Sequence, residues 1–340
     1  MHFIVVLDYV RCGGRSSEWP ARVPPRPDSA CRGPVRGRSR NRGVPDVMMI
    51  GVAIFSYNRG GYLKHSIASA VRNTSADIPI AVFDDGSDDE LTTAELQHWR
   101  QHPRVEVFAA AHCGKQLDSS IRGGLYANMN RAIQWASDRG IDVVLFLQDD
   151  SQIVRPVTEE DLRLVSVFFS ANPEALELVP FFSAYHEVDP PGIWDIDRSG
   201  TALKPVRSDP AFSDVGLLHV VRVVTRLGGL AASERLNGAK AHDLGMWRGV
   251  YRWPFAMFMP YPQTLSTRNV SRLSRMPIIE ALSGAGVHPY RDMSITSVQR
   301  LLATQTQSTL PARHWLDCPS MNRRRYWSFY GGARDLRASG

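Results

Sequence analysis

Three apolar runs in the first half of the chain each break off into a polar loop, and this pattern constrains the fold more than any other feature. Met48 to Phe55 leads into Ser56-Tyr57-Asn58-Arg59-Gly60-Gly61, Ile78 to Phe83 into Asp84-Asp85-Gly86-Ser87-Asp88-Asp89, and Ile141 to Leu147 into Gln148-Asp149-Asp150-Ser151. Continuous apolar runs of this length suit strands covered on both faces. Between them, Leu63, Ile67, Ala70 and Val71 share one helical stripe, and Leu125, Met129, Ala132, Ile133 and Ala136 share another. A helix from Glu90 to Trp99 and a short strand from Val105 to Phe108 complete the alternation. Strands alternating with helices predict an α/β fold, a Rossmann-type, mainly parallel sheet with helices on both faces. The second half is less regular: a helix around Leu162 to Phe169, a strand or buried helix over Leu217 to Val224, a strand over Phe255 to Met259 and a helix over Ile295 to Leu302.

In an open parallel sheet the carboxyl ends of the strands lie along one edge, where such folds bind ligands. The three polar loops are therefore expected to converge there. Asp84, Asp85, Asp149 and Asp150 gathered in one crevice repel one another unless a cation is present. Oxygen ligands without Cys or His favour Mg2+ or Mn2+, which take one or two carboxylates and fill their other positions with water and phosphates. The plainer alternative is that Asp149 and Asp150 cap a turn and that residues 84–89 form a solvated loop.

Other phosphate-binding devices are missing. The chain has no GxxxxGK[ST] loop, the first strand ends in SYNRGG instead of GxGxxG, and there is no GxSxG elbow.

Four segments, VAIFSYNRGGYLKHSIASAV (52–71), IAVFDDGSDD (80–89), GGLYANMNRAIQWA (123–136) and VVLFLQDDSQ (143–152), together resemble the GT-A-fold nucleotide-sugar glycosyltransferases, particularly inverting family two. The resemblance spans residues 48–152 and implies a GT-A-like sheet with a less regular acceptor half. It further implies metal-dependent transfer of a sugar from a nucleoside-diphosphate donor to a hydroxyl of a glycan or lipid-linked acceptor, with inversion, in glycan or polysaccharide assembly. By the same resemblance Ser56, Tyr57 and Arg59 line the nucleotide pocket, Asp84 or Asp85 binds the base or ribose, and Asn128 lies on a helix closing over the nucleotide. Asp150 matches the acid that holds Mn2+ or Mg2+ on the diphosphate, with Asp149 beside it on the nucleotide. Gln148 stands where the family's DxD often has its first acid.

Such chemistry also needs a base for the acceptor hydroxyl. In the family this is an Asp, often in an acidic pair near the start of a helix, and the nearest counterpart is Asp243 beside His242, with Asp214 and Asp195 as alternatives. An N-cap role for Asp243 is the competing reading. Trp247, Tyr251 and Trp253 are candidates for a wall stacking on an acceptor sugar, or for core. His288 is a candidate late metal or phosphate contact, or structural.

Residues 1–46 contain nine Arg against four acids and so carry five of the six net positive charges. With six Pro and five Gly in 11–46 and little apolar periodicity, this extension is expected to be disordered, either a basic tail or a translated upstream stretch preceding a start at Met48 or Met49. The opening MHFIVVLDYV is too short and too interrupted by Asp8 for a membrane span or a secretory core. Four scattered Cys suggest neither a zinc site nor a disulfide framework. The expected organisation is 1–46 extension, 47–155 nucleotide-sugar half, 156–310 acceptor half and 311–340 basic aromatic tail. Cytoplasmic placement follows, with the Arg323–Arg325 and Tyr326–Tyr330 tail as a peripheral membrane contact or a frayed end. No nucleic-acid partner is expected for the folded part. Two rivals stay open: a sugar nucleotidyltransferase on a similar fold, and a non-catalytic nucleic-acid binder using the Arg-rich N-terminus.

Overall fold

In the computed structural model, which describes residues 47–109, 124–183, 194–206, 211–259, 287, 289–305 and 310–319, the four predicted N-terminal strands lie side by side. They are β1 (Ile50–Ser56), β2 (Ile80–Asp84), β3 (Val105–Ala109) and β4 (Val143–Gln148). All pairings among them are parallel, in the order β3-β2-β1-β4, with Ser56 opposite Asp84 and Phe55 opposite Gln148.

Every residue of β1 and β2 is buried, as an apolar run without polar alternation requires. Alternate side chains serve opposite faces. Val52 and Ile54 pack with Leu63 and Ile67 of α1 (Gly60–Asn73), Leu96 and Trp99 of α2 (Glu90–Trp99), and Val165 and Phe168 of α4 (Glu159–Ala171). Ala53 and Phe55 face Met129, Ala132, Ile133 and Ala136 of α3 (Leu125–Asp138). Each large aliphatic or aromatic side chain so buried contributes about 1.5–3 kcal/mol.

The sheet then continues beyond β4 in a way the periodicity did not foretell. β9 (Gly216–His219) runs antiparallel to β4, and β6 (Ala175–Val179), β10 (Trp247–Tyr251), β8 (Ala202–Pro205) and β7 (Trp194–Ile196) follow outwards. The segment read as strand or buried helix is both: β9 ends at His219, a single helical turn α5 (Val220–Arg222) follows, and a π-turn over Val223–Leu227 closes it. Strands from both sides of residue 155 thus share one mixed sheet, the mainly parallel α/β arrangement expected.

β5 (Ser151–Ile153) and β11 (Ala256–Phe258) form a separate antiparallel ribbon. α6 (Glu234–Asp243), α7 (Ile295–Leu302) and a short 3₁₀ turn over Ala312–His314 complete the described helices. No helix among the described residues is long and apolar enough to cross a membrane.

The start of α4 is tied to β10 by a buried polar network. Arg155, fully enclosed, pairs with Asp161 through two 2.8 Å hydrogen bonds, and the Tyr251 hydroxyl donates to the same carboxylate at 2.8 Å. The arginine holds the Asp161 carboxyl below its usual range against its burial.

Candidate functional site

The loops after β1, β2 and β4 meet at the carboxyl edge of the sheet, joined by side chains. Asn58 adopts left-handed backbone, φ 51°, a conformation Asn tolerates better than most residues. Its N–H donates to Ser87 Oγ at 2.8 Å, its side-chain amide donates to Asp88 at 2.9 Å, and its Oδ1 accepts from the Asp88 N–H at 2.9 Å. The β1 and β2 loops are thereby locked together. From the β4 side, Asp149 accepts from the Tyr57 N–H at 3.3 Å.

At the centre lies the Asp149–Asp150 pair. Nη1 of Arg59 stands 3.0 Å from Asp149 Oδ1 and 3.1 Å from Asp150 Oδ2. Burial pushes the Asp149 carboxyl up to about 7, opposed by Arg59 and reinforced by Asp150, and burial pushes Asp150 upward against the same arginine. Asp150 Oδ1 is buried with no hydrogen-bond partner among the described residues.

The expected four-carboxylate cluster requires correction, because the four acids do not share one charge problem. Asp84 turns back on its own loop, accepting from the N–H groups of Gly86 and Ser87 at 3.0 and 2.8 Å and from Ser87 Oγ at 2.5 Å. Asp85 accepts from the Gly124 N–H just before α3, and burial raises its pKa. Asp149 and Asp150 act as a pair with Arg59 between them as counter-ion, whereas Asp85 feels the charge of Asp84.

Around this centre Ser56 is buried with no hydroxyl partner among the described residues, and Tyr57 is 49% exposed. Asn128, buried on α3, accepts from Arg131 at 2.8 Å within its own helix.

A divalent cation fits this centre in one specific respect: Asp150 offers a buried carboxylate oxygen that no hydrogen bond among the described residues satisfies. Among the described residues no group of three His, Cys, Asp or Glu side chains forms a closed cage. Mg2+ and Mn2+ sites completed by substrate phosphates need none.

The expected base is not here. Asp243 is the last residue of α6, with its side chain 82% exposed and His242 Nδ1 3.8 Å from its carboxylate. The other end of that helix lies nearer to other acidic groups. Glu234, the first residue of α6, is half-buried near Asp214, and burial together with Asp214 pushes its carboxyl up to about 7 while Arg248 opposes. Asp214 is hydrogen-bonded to Gln148 and feels the charge of Asp150, and burial lifts it to about 6. At 1.5 Å per residue, Asp243 lies about 13 Å further along the helix than Glu234.

The last alternative, Asp195, sits on β7, five strands from β4, roughly 24 Å at ordinary strand spacing. Deeper still, Glu177 of β6 is buried, accepts from the Ser213 N–H at 2.7 Å, and is raised well above the usual range by burial. Gly216 passes over it with φ 137°, where an added Cβ comes within 2.6 Å of Glu177 Oε1.

The aromatic wall is not free to stack on a sugar. Tyr251 is core, Trp247 meets Phe168 edge-on with Lys204 over its ring, and the Trp253 indole N–H donates to the Thr304 carbonyl. His288, residues 1–46 and residues 320–340 lie outside the described residues.

Glu234 and β6 were missed for a physical reason. α6 buries Asn237, Gly238 and Ala241, so it has no apolar stripe. Its signal was a cap: the Ser233 side chain accepts from the Leu236 N–H, with an acid following.

A segment of 68 residues, 20% of this chain, is 29% identical to chondroitin synthase of Escherichia coli and spans 10% of that protein's length. Among solved structures, S. aureus TarS aligns over 75% of this chain and 42% of its own, with 18% identity and TM-score 0.44. Mannosyltransferase PcManGT from Pyrobaculum calidifontis, solved in complex with GDP-Man and Mn2+, aligns over 62% of this chain and 59% of its own, with 15% identity and TM-score 0.40. The chain thus spans less than two thirds of each of these proteins. Residues 51–160, which take in all but the first residue of β1, the whole of β2 to β5 and the Arg59–Asp149–Asp150 centre, match the model of glycosyl transferase family 2.

Proposed function

We propose that the chain is a glycosyltransferase that moves a sugar from a nucleoside-diphosphate donor to an acceptor hydroxyl, with inversion, in glycan or polysaccharide assembly. The observation that carries this reading is the buried Asp149–Asp150 pair at the end of β4, with an unsatisfied Asp150 oxygen, inside the family-two region. Asp150, with Asp149, is assigned to hold Mn2+ or Mg2+. When bound, the ion supplies charge neutralisation on the departing diphosphate.

The remaining roles belong to side chains. Tyr57 and Ser56 line the nucleotide side of the crevice, Asp85 stands at the start of α3 for the base or ribose, and Asn128 stiffens that helix. Glu234 replaces Asp243 as the proposed base. A carboxyl lifted to about 7 by burial is matched to accepting a proton near neutral pH, which Asp243, at the far exposed end of α6, is not placed to do. The acceptor is a glycan or a lipid-linked sugar. With a lipid-linked acceptor the reading keeps the chain in the cytoplasm, with its basic tail against the membrane.

The test is release of nucleoside diphosphate from a panel of UDP-, GDP- and dTDP-sugars by the full chain, with Mn2+ or with chelator. Mn2+-dependent release from one donor is expected, and Glu234→Gln should lower turnover roughly 10²–10⁴-fold while leaving donor binding intact. Folded protein that neither binds nor turns over any donor overturns the reading. A Glu234→Gln variant of undiminished rate removes Glu234 from the role.

A further inference from the structure

One nitrogen of Arg59 occupies the space between the two carboxylates that the proposed function assigns to a metal ion. Nη1 bridges Asp149 Oδ1 and Asp150 Oδ2 at 3.0 and 3.1 Å, and the two acid side chains are only 6% and 9% exposed. Two buried carboxylates need a positive charge between them to remain ionised side by side, and here the chain supplies its own.

The anchoring of Arg59 divides into two independent parts. Its backbone is fixed: its carbonyl accepts from the Tyr62 and Leu63 N–H groups at 3.0 and 2.9 Å to start α1, and the preceding Asn58 is clamped to the β2 loop. Its side chain is 21% exposed, and both acid contacts are made by the single nitrogen Nη1, separately from the backbone that starts α1. A guanidinium and a divalent ion on the same pair of oxygens repel each other strongly at this range. Once displaced, a guanidinium tethered at this rim is suited to a diphosphate, whose oxygens match its planar fork of donors.

Resting on the metal-dependent reading, we infer that Arg59 is the resident counter-ion of the Asp149–Asp150 pair, giving up both carboxylates when a divalent cation binds and turning to the donor's diphosphate. Arg59 is on this account a positioning residue that couples the two binding events. Metal binding releases the group that then holds the nucleotide.

The test uses Mn2+ alone, titrated into the full chain and followed by the electron paramagnetic resonance of free Mn2+. Removing one unit charge a few ångströms from the ion should make Arg59→Gln bind Mn2+ about tenfold more tightly than wild type. Arg59→Lys, which keeps the charge, should stay near wild type. In saturating Mn2+, Arg59→Gln should bind UDP or GDP about tenfold more weakly. These opposite signs separate the inference from a merely structural role, which weakens both.

If the Gln variant does not fold, wild-type protein still decides. Mn2+ should speed modification of Arg59 by phenylglyoxal severalfold, read by mass spectrometry on the peptide that contains it. Equal or weaker Mn2+ affinity in Arg59→Gln, or unchanged modification of wild type under conditions where Mn2+ demonstrably binds, overturns the inference alone. Absence of Mn2+ binding to every variant, with and without nucleotide, overturns the metal-dependent reading and the inference with it.

Discussion

Asp214 and Glu234 share a problem that burial creates and Arg248 only partly relieves. Both carboxyls are lifted, to about 6 and about 7, so the folded chain holds protons there that the unfolded chain has already released. The sign follows from linkage: a raised carboxyl pKa favours folding at low pH, and that advantage is lost as pH rises through the folded-state value. For Asp214, a rise from 3.8 to about 6 corresponds to of order 3 kcal/mol. In denaturant titrations, Asp214→Asn should match wild type near pH 4, become relatively more stable through pH 6, and reach its full advantage above pH 7. A variant that loses stability relative to wild type as pH rises contradicts the assignment. At this scale the acid pair after β4 and the polar residues after β1 were legible in order along the chain. The arginine's grip on both acids was not, because which of several side chains in a crevice pair up depends on rotamers that no local pattern encodes.

Helices with sharp chemical boundaries were legible to the residue. α2 begins after Asp89, whose side chain accepts from the Thr92 N–H at 2.9 Å, and α7 begins after Ser294, which accepts from the Ser297 N–H at 3.2 Å. The elements that escaped are β6, the strands β7 and β8, which at three and four residues are too brief for a periodicity of two to show, and α6, which has a cap but no stripe. One packing contact carries a consequence for the site. Gly60 opens α1 against the backbone of Leu91 and Thr92 in α2, leaving no room for a Cβ. Gly60→Ala should therefore destabilise the fold by roughly 1–3 kcal/mol in denaturant titrations, through forced separation of the two helix starts. Because Arg59 is the adjacent residue, nucleotide affinity should fall with it; a neutral substitution contradicts this packing account.

Over the whole molecule, one mixed sheet carries both sides of the proposed reaction. β1, β2 and β4 present the Arg59–Asp149–Asp150 centre, and the chain entering β9 presents Asp214 next to Gln148, with Glu234 behind it on α6. The parallel half follows from strand–helix alternation. The antiparallel insertion of β9 between β4 and β6 does not, since it is a long-range pairing with no sequence period. The central claim is that the acids after β4 hold a nucleoside diphosphate through a divalent ion. Thermal unfolding of wild type and Asp150→Asn with UDP or GDP, in Mn2+ or in chelator, tests it most directly. At a hundredfold excess over Kd the stabilisation is about 2.7 kcal/mol, several degrees in Tm for a chain of this size. The account predicts that shift for wild type in Mn2+ only, and its loss in Asp150→Asn. An equal shift in chelator, or an undiminished one in Asp150→Asn, contradicts it.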